Sequence, residues 1–308
     1  MALLIGTTAG VFRAEAVGDD GEMGASGRPI DPERTLDCEG VYRLRTLKAV
    51  IAVTADPPGN RLYAGTRPPG VYVAELGGDS AIDDQTSWRE CEGFARLPKA
   101  DWRNLGKLDR GPDGAQVRSL VAHPGAPDRV VAGVESVGVF ASDDRGRTWE
   151  RRSEGLQADV HHVCALGPRS YVAACGRGLY RTRDVGRTWV RIDTGHETFW
   201  YTYHQAAFVR DGTLYAGAQD RSEYRHLDAA RATIVKSGDE GRTFESTGHP
   251  GDDAEFVEAW AGTDGRVIAG TSGGRLLASD ERGRGDPEGD EWQTLGTVPG
   301  EVWSLAAV

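Results

Sequence analysis

Lysine is nearly missing from this 308-residue chain: only Lys48, Lys99, Lys107 and Lys236 stand among 36 basic residues, and the rest are arginine. Acidic residues number 47, so the formal net charge is −11. A surface of that sign repels nucleic-acid phosphates and anionic lipid, so neither is an expected partner. It also keeps a chain soluble in strong salt, and a halophilic source is expected. Long apolar runs are absent, which excludes a membrane-spanning helix. The first residues lack the basic flank of a secretory leader, and a cytoplasmic location is expected. Cysteine is limited to Cys38, Cys91, Cys164 and Cys175, without CxxC or zinc spacing; such residues are expected to be small buried hydrophobes. No phosphate loop, GxSxG elbow or HExxH motif occurs.

Glycine is what the chain has in excess, with 42 residues against 14 prolines. Without low complexity, that composition points to many tight turns and so to many short strands. A repeat organises them. Ser142-Asp-Asp-Arg-Gly-Arg-Thr-Trp149 recurs as Thr182-Arg-Asp-Val-Gly-Arg-Thr-Trp189 and as Ser237-Gly-Asp-Glu-Gly-Arg-Thr-Phe244. A decayed copy begins at Ser279 and resumes at Trp292. In this octad the glycine supplies a positive φ, the aspartate accepts backbone N–H bonds, and the aromatic packs between sheets. The motif is therefore a structural staple.

A second signature lies upstream of the octads: an apolar strand ending in small residues, then Gly-apolar-aromatic. It begins at Leu3, Leu62, Val130, Tyr171, Leu214 and Val267. Six copies at intervals of about 41 to 68 residues suit four-stranded units, with strands A to D. The last residues, from Glu301, read as a strand A without a B, and the first residues as a strand B without an A. The expectation is all-β: one six-bladed propeller domain over residues 1–308, its ring closed by pairing of the terminal strands. Seven blades would require one more in residues 77–116.

The octads resemble the Asp-box, or BNR, repeat, and the chain is similar to the Asp-box β-propeller superfamily. That resemblance implies a fold shared by sialidases, other glycosidases, sortilin-like sorting receptors and factors resembling photosystem II assembly proteins. It also implies octads in the C–D turns and ligand sites on the opposite, D–A/B–C face. The Arg-Ile-Pro segment of sialidases is absent here.

Strands A then supply the candidate channel lining. One aligned position reads Val50, Arg118, His161, His204, Val257 and Trp303; the next reads Ile51, Ser119, His162, Gln205, Glu258 and Ser304. Alternation sends only one of these rings inward. Candidate ligand-binding residues are Arg118, His161, His204, Glu258 and Trp303, with Trp200, Tyr201 and Tyr203 at the rim. His161, His204 and Glu258 also form a candidate set for a divalent metal; otherwise no cofactor is expected. Long segments 94–116 and 218–231 fall on the same face. The missing catalytic motifs favour a non-catalytic module that binds a protein segment or a small ligand. The alternative is a glycan-directed hydrolase or lyase using Glu258 and a histidine. Cys164 beside His162 is a further nucleophile–base candidate.

Overall fold

The computed structural model describes residues 2–7, 10–15, 49–55, 60–75, 87–98, 102, 115–194, 203–219, 232–248, 255–263, 265–280 and 292–307. These form two compact units, one from residues 37–194 and the other from residues 1–36 with 195–308. Nearly all described structure is antiparallel sheet. No helix among the described residues is long and apolar enough to cross a membrane.

The 37–194 unit holds three four-stranded sheets. The first comprises β3 (Ala49–Ala55), β4 (Arg61–Arg67), β5 (Val71–Glu75) and β6 (Trp88–Glu90). The short helix α1 (Glu92–Ala95) follows it. The second comprises β7 (Val117–His123), β8 (Ala126–Val134), β9 (Gly138–Ser142) and β10 (Glu150–Arg151). The third comprises β11 (Val160–Ala165), β12 (Tyr171–Cys175), β13 (Gly178–Thr182) and β14 (Val190–Arg191). In the other unit, β15 (Ala207–Arg210), β16 (Thr213–Gln219), β17 (Ala232–Ser237) and β18 (Glu245–Ser246) form one sheet. The strands β19 (Val257–Thr263), β20 (Arg266–Thr271), β21 (Arg275–Asp280) and β22 (Trp292–Thr297) form another. Finally β1 (Ala2–Thr7) lies between β2 (Gly10–Glu15) and β23 (Val302–Ala307). The C-terminal strand thus hydrogen-bonds to the N-terminal one.

Inner strands are apolar on both faces because a sheet packs on each. All five residues of β9 and of β12 are buried, as are the last five of β8. The sheets meet where a small residue of one second strand receives a valine of the next first strand. A Cβ built on Gly65 would lie 2.5 Å from Val117 Cγ1, and one on Gly133 or Gly217 would lie 3.0 Å from Val160 or Val257. Gly270 meets Val302 in the same way. So the glycine of the Val-Ala-Gly signature sets the sheet-to-sheet distance.

The three intact octads fold alike. Ser142 Oγ donates to Asp144 Oδ1 at 2.8 Å and accepts the Gly146 N–H at 2.8 Å. Asp144 also accepts the Thr148 N–H at 2.8 Å and the Thr148 hydroxyl at 2.7 Å. Asp184 and Asp239 repeat this with Thr188 and Thr243. Each turn needs two successive positive φ values: Arg145 and Gly146 at 59° and 82°, Val185 and Gly186 at 63° and 83°, Glu240 and Gly241 at 63° and 84°. The left-handed non-glycine residue is strained on its own, and the surrounding bonds hold it. Trp189 Nε1 then donates to Arg152 O of the preceding sheet at 3.0 Å. Of the decayed fourth copy, residues 281–291 lie outside the described residues, but Trp292 is buried and donates to Thr247 Oγ1 at 2.8 Å.

These turns titrate. Burial pulls the Asp144 and Asp184 carboxyls upward, yet the threonine bonds outweigh it and both stay below the usual range. The Thr243 backbone N–H and hydroxyl hold the Asp239 carboxyl down to about 2.

Two outcomes are expected. Gly65→Ala should cost about 1–3 kcal/mol of stability through overpacking, whereas Gly167→Ala, whose Cβ meets nothing within 4 Å, should be near neutral. Urea denaturation of each variant checks this, and Val117→Ala should relieve part of the Gly65→Ala cost. The second outcome concerns acid. A depressed carboxylate stabilises fully above its unfolded value of about 3.9 and stops doing so as pH falls through its folded value. Urea midpoints should therefore fall between about pH 4 and 2, and Asp239→Ala should start lower at pH 5 and lose less on acidification.

Candidate functional site

The first strands are not regular. In each, one residue is inserted at the same place against the second strand: Ile51 in β3, Arg118 in β7, His161 in β11, Glu258 in β19 and Trp303 in β23. Before β15, three residues, 204–206, stand against two, because Tyr203 bridges Gln219 and Ala207 pairs with Ala216. A bulge leaves its extra residue outside the ladder and re-aims it. Period-two reading cannot see this, so the sequence alignment above misplaced two members: Ile51 and Glu258, not Val50 and Val257, rank with Arg118, His161 and Trp303. Val117, Val160, Val257 and Val302 are instead fully buried against the neighbouring sheet.

Within the 37–194 unit the bulges gather a polar cluster. The β8–β9 turn brings Glu135, the approach to β7 brings Gln116, and the approach to β11 brings Asp159. Gln116 Nε2 donates to Glu135 Oε2, and Arg118 Nη1 stands 3.6 Å from Glu135 Oε1. His161 Nε2 lies 3.5 Å from Asp159 Oδ2. Donor atoms of Glu135, Asp159 and His161 all lie within 4.8 Å of one another. Glu135 and His161 are buried and Asp159 is half-buried. Gly176, at the β12–β13 turn, passes Asp159 so closely that a Cβ there would strike Oδ2, and its N–H bonds the Asp159 carbonyl at 3.0 Å. All these residues sit where second strands turn to third strands and where chains enter first strands. The octads occupy the turns between third and fourth strands, at the other end of the sheets.

The other unit holds Glu258 half-buried at its bulge, and Trp303 is exposed with Nε1 donating to Glu301 Oε2 at 3.0 Å. His204 is fully buried, its Nδ1 3.1 Å from Gly217 O. Tyr203 is buried at its bridge to Gln219. Glu255, buried, accepts from Arg275 Nε at 2.7 Å and from Thr271 Oγ1. It is a carboxylate that ties a strand entrance to a turn and is neutralised by an arginine. Trp200 and Tyr201 lie outside the described residues, as does nearly all of 218–231. Of segment 94–116, Trp102 packs edge-on against Phe94 at 5.9 Å and touches Phe140 at 5.3 Å.

The structure thus brings Arg118 and His161 into one cluster and gives His204 a core environment. Sequence reading missed Glu135, Asp159 and Gln116, because it scanned strand interiors while these residues flank the strands. Their signal was available: each is the polar residue directly bordering a buried valine, at Val134, Val160 and Val117. The direction of the thiol shifts runs against the Cys164 candidate. Burial pushes the Cys164 thiol up to about 12 and the Cys91 thiol likewise, and holds Cys175 well above its ordinary value; a thiolate nucleophile needs the opposite shift.

No protein-family model and no curated protein matches the chain. Solved structures do. An ancestral GH74 enzyme is 14% identical with a TM-score of 0.57, over 80% of this chain and 33% of that one. The GH74 xyloglucanase from Xanthomonas campestris is 15% identical with a TM-score of 0.53, over 80% of this chain and 38% of that one. The extracellular domain of a one component system from B. thetaiotaomicron is 11% identical with a TM-score of 0.52, over 98% of this chain and 35% of that one. The chain therefore spans about a third of the length of these neighbours. They have β-propeller folds, and the likeness shows a propeller-like fold here.

His204→Ala should cost about 2 kcal/mol or more through the cavity and the lost carbonyl partner. Trp303→Ala, at an exposed position, should change stability by less than about 0.5 kcal/mol. Thermal and urea unfolding of both variants checks the contrast.

Proposed function

We propose that the chain is a six-bladed Asp-box propeller that binds a small polar ligand, or a protein segment bearing such groups, where second and first strands present Arg118, Glu135, Asp159 and His161. Three intact octads, six sheets among the described residues and the pairing of β1 with β23 support the architecture. The observation that carries the function is the cluster itself. Two carboxylates, an arginine and an imidazole converge from two sheets at one end of the unit, away from the staples. Such a mixed-sign, partly buried array offers donors and acceptors to a hydroxylated ligand and an arginine to an anionic one. The acidic, lysine-poor chain suits a salt-rich cytoplasm, and neither nucleic acid nor membrane insertion belongs to the reading.

One observation favours a second reading, a glycan-directed hydrolase. The Glu135 and Asp159 oxygens approach within 4.8 Å, and retaining glycosidases set their two carboxyl groups about 5–5.5 Å apart. Two structural neighbours bear GH74 names, one of them a xyloglucanase. A glycan array, followed by calorimetry and reducing-end release on xyloglucan oligosaccharides in high salt, separates the readings. Binding without turnover is expected, weakened at least tenfold in Arg118→Ala. Turnover abolished in Asp159→Asn would replace the binding reading by the hydrolase. Failure to bind any glycan on the array or any segment on a peptide array would overturn both.

A further inference from the structure

We infer that Glu135, Asp159 and His161 form a site for a first-row divalent transition ion. This deepens the ligand reading above, since the ion would sit among the residues proposed to receive the ligand.

Three donors of the right chemistry converge from separate segments. Asp159 comes from the approach to β11, His161 from its bulge and Glu135 from the β8–β9 turn. An imidazole nitrogen with two carboxylate oxygens is a set suited to zinc, manganese or iron rather than to calcium, which takes oxygen ligands alone. The spacing agrees. A tetrahedral ion with bonds of about 2.1 Å holds its ligands about 3.4 Å apart, and His161 Nε2 stands 3.5 Å from Asp159 Oδ2. That distance is long for a hydrogen bond and ordinary for two ligands of one ion. Glu135 closes the triangle within 4.8 Å, so a movement of at most about 1.4 Å by one carboxylate brings it to the ligand spacing.

The placement is built into the fold. The β11 bulge takes His161 out of the ladder, and Gly176 leaves room for the Asp159 carboxylate that no side chain would. Gln116 and Arg118 engage the Glu135 carboxylate oxygens and orient the group, as hydrogen-bonding partners do for ligating carboxylates. The contrast with the other unit is informative. There the carboxylate Glu255, at the same kind of strand entrance, is matched by Arg275 at 2.7 Å. Here Glu135 and Asp159 converge on one imidazole, their donor atoms within 4.8 Å of one another, and a dication bound among them would draw both carboxylates inward. Nε2 of His161 must then carry the lone pair, with the proton on Nδ1.

The test uses the full chain, stripped with a chelator and titrated calorimetrically with ZnCl2 and MnCl2, with CaCl2 and MgCl2 as controls. One equivalent of zinc or manganese should bind, with at most weak calcium binding. Asp159→Asn and His161→Gln should each weaken binding tenfold or more, while Glu258→Gln and His123→Gln leave it unchanged. Because His161 is buried, thermal unfolding of each variant establishes that it is folded, and the half-buried Asp159→Asn carries the test if His161→Gln does not fold. A cobalt absorption band present in the wild type and lost in Asp159→Asn gives a second readout. No saturable binding, or unchanged affinity in both variants, overturns the site. The glycan array repeated on the chelated protein keeps the proposals apart: ligand binding without metal binding removes only the metal site.

Discussion

The fold depends on a close approach between backbones. In each unit the second strand of one sheet carries a glycine, and a valine of the next first strand fills the space a side chain would take. At Gly65 and Val117 the room left is less than one methyl group requires. This contact explains why these second strands carry a glycine after apolar residues, why they are buried on both faces, and why Val117, Val160, Val257 and Val302 are interior. It also fixes the chain just before the bulge, since a valine locked against the neighbouring backbone leaves the following residue to absorb the register change.

That coupling links packing to chemistry. The locked valine and the pairing further along the strand leave one residue too many, and the surplus residue becomes Arg118, His161, Glu258 or Trp303. Polar groups thus enter a region otherwise lined by strand backbone without disturbing the apolar contacts beside them. The octads stabilise the opposite ends of the sheets. Their aspartates, threonines and serines satisfy one another locally, and Trp189 hydrogen-bonds back to Arg152 beside the preceding sheet. The octad turns and the polar cluster therefore lie at opposite ends of the sheets, each held by its own local contacts.

Carboxylates at the strand entrances differ in what surrounds them. Glu255 with Arg275 shows how the fold uses a carboxylate purely to tie a strand entrance to a turn. Glu135 and Asp159 occupy comparable positions but converge on each other and on a histidine, the grouping on which the proposed ligand and ion sites rest.

Much of this was legible in the residues. The octads announced their turns because the hydrogen bonds that make them are local, spanning four residues. The six apolar strands with small residues announced the sheets, since burial on both faces leaves a continuous apolar run, and the tails announced the pairing of β1 with β23. What only the tertiary structure decided is register and partnership. Alternation of period two runs through a bulge without a mark, so Glu258 and Ile51 could not be told from Val257 and Val50. The polarity of His204 is visible in the sequence, but its full enclosure beside Gly217 is not. Glu135 and Asp159 meet His161 across two sheets, and no spacing along the chain encodes that meeting. The local hydrogen bonds and apolar periodicity of the chain determine its strands and turns; which polar side chains converge depends on how far one sheet's glycine lets the next sheet approach.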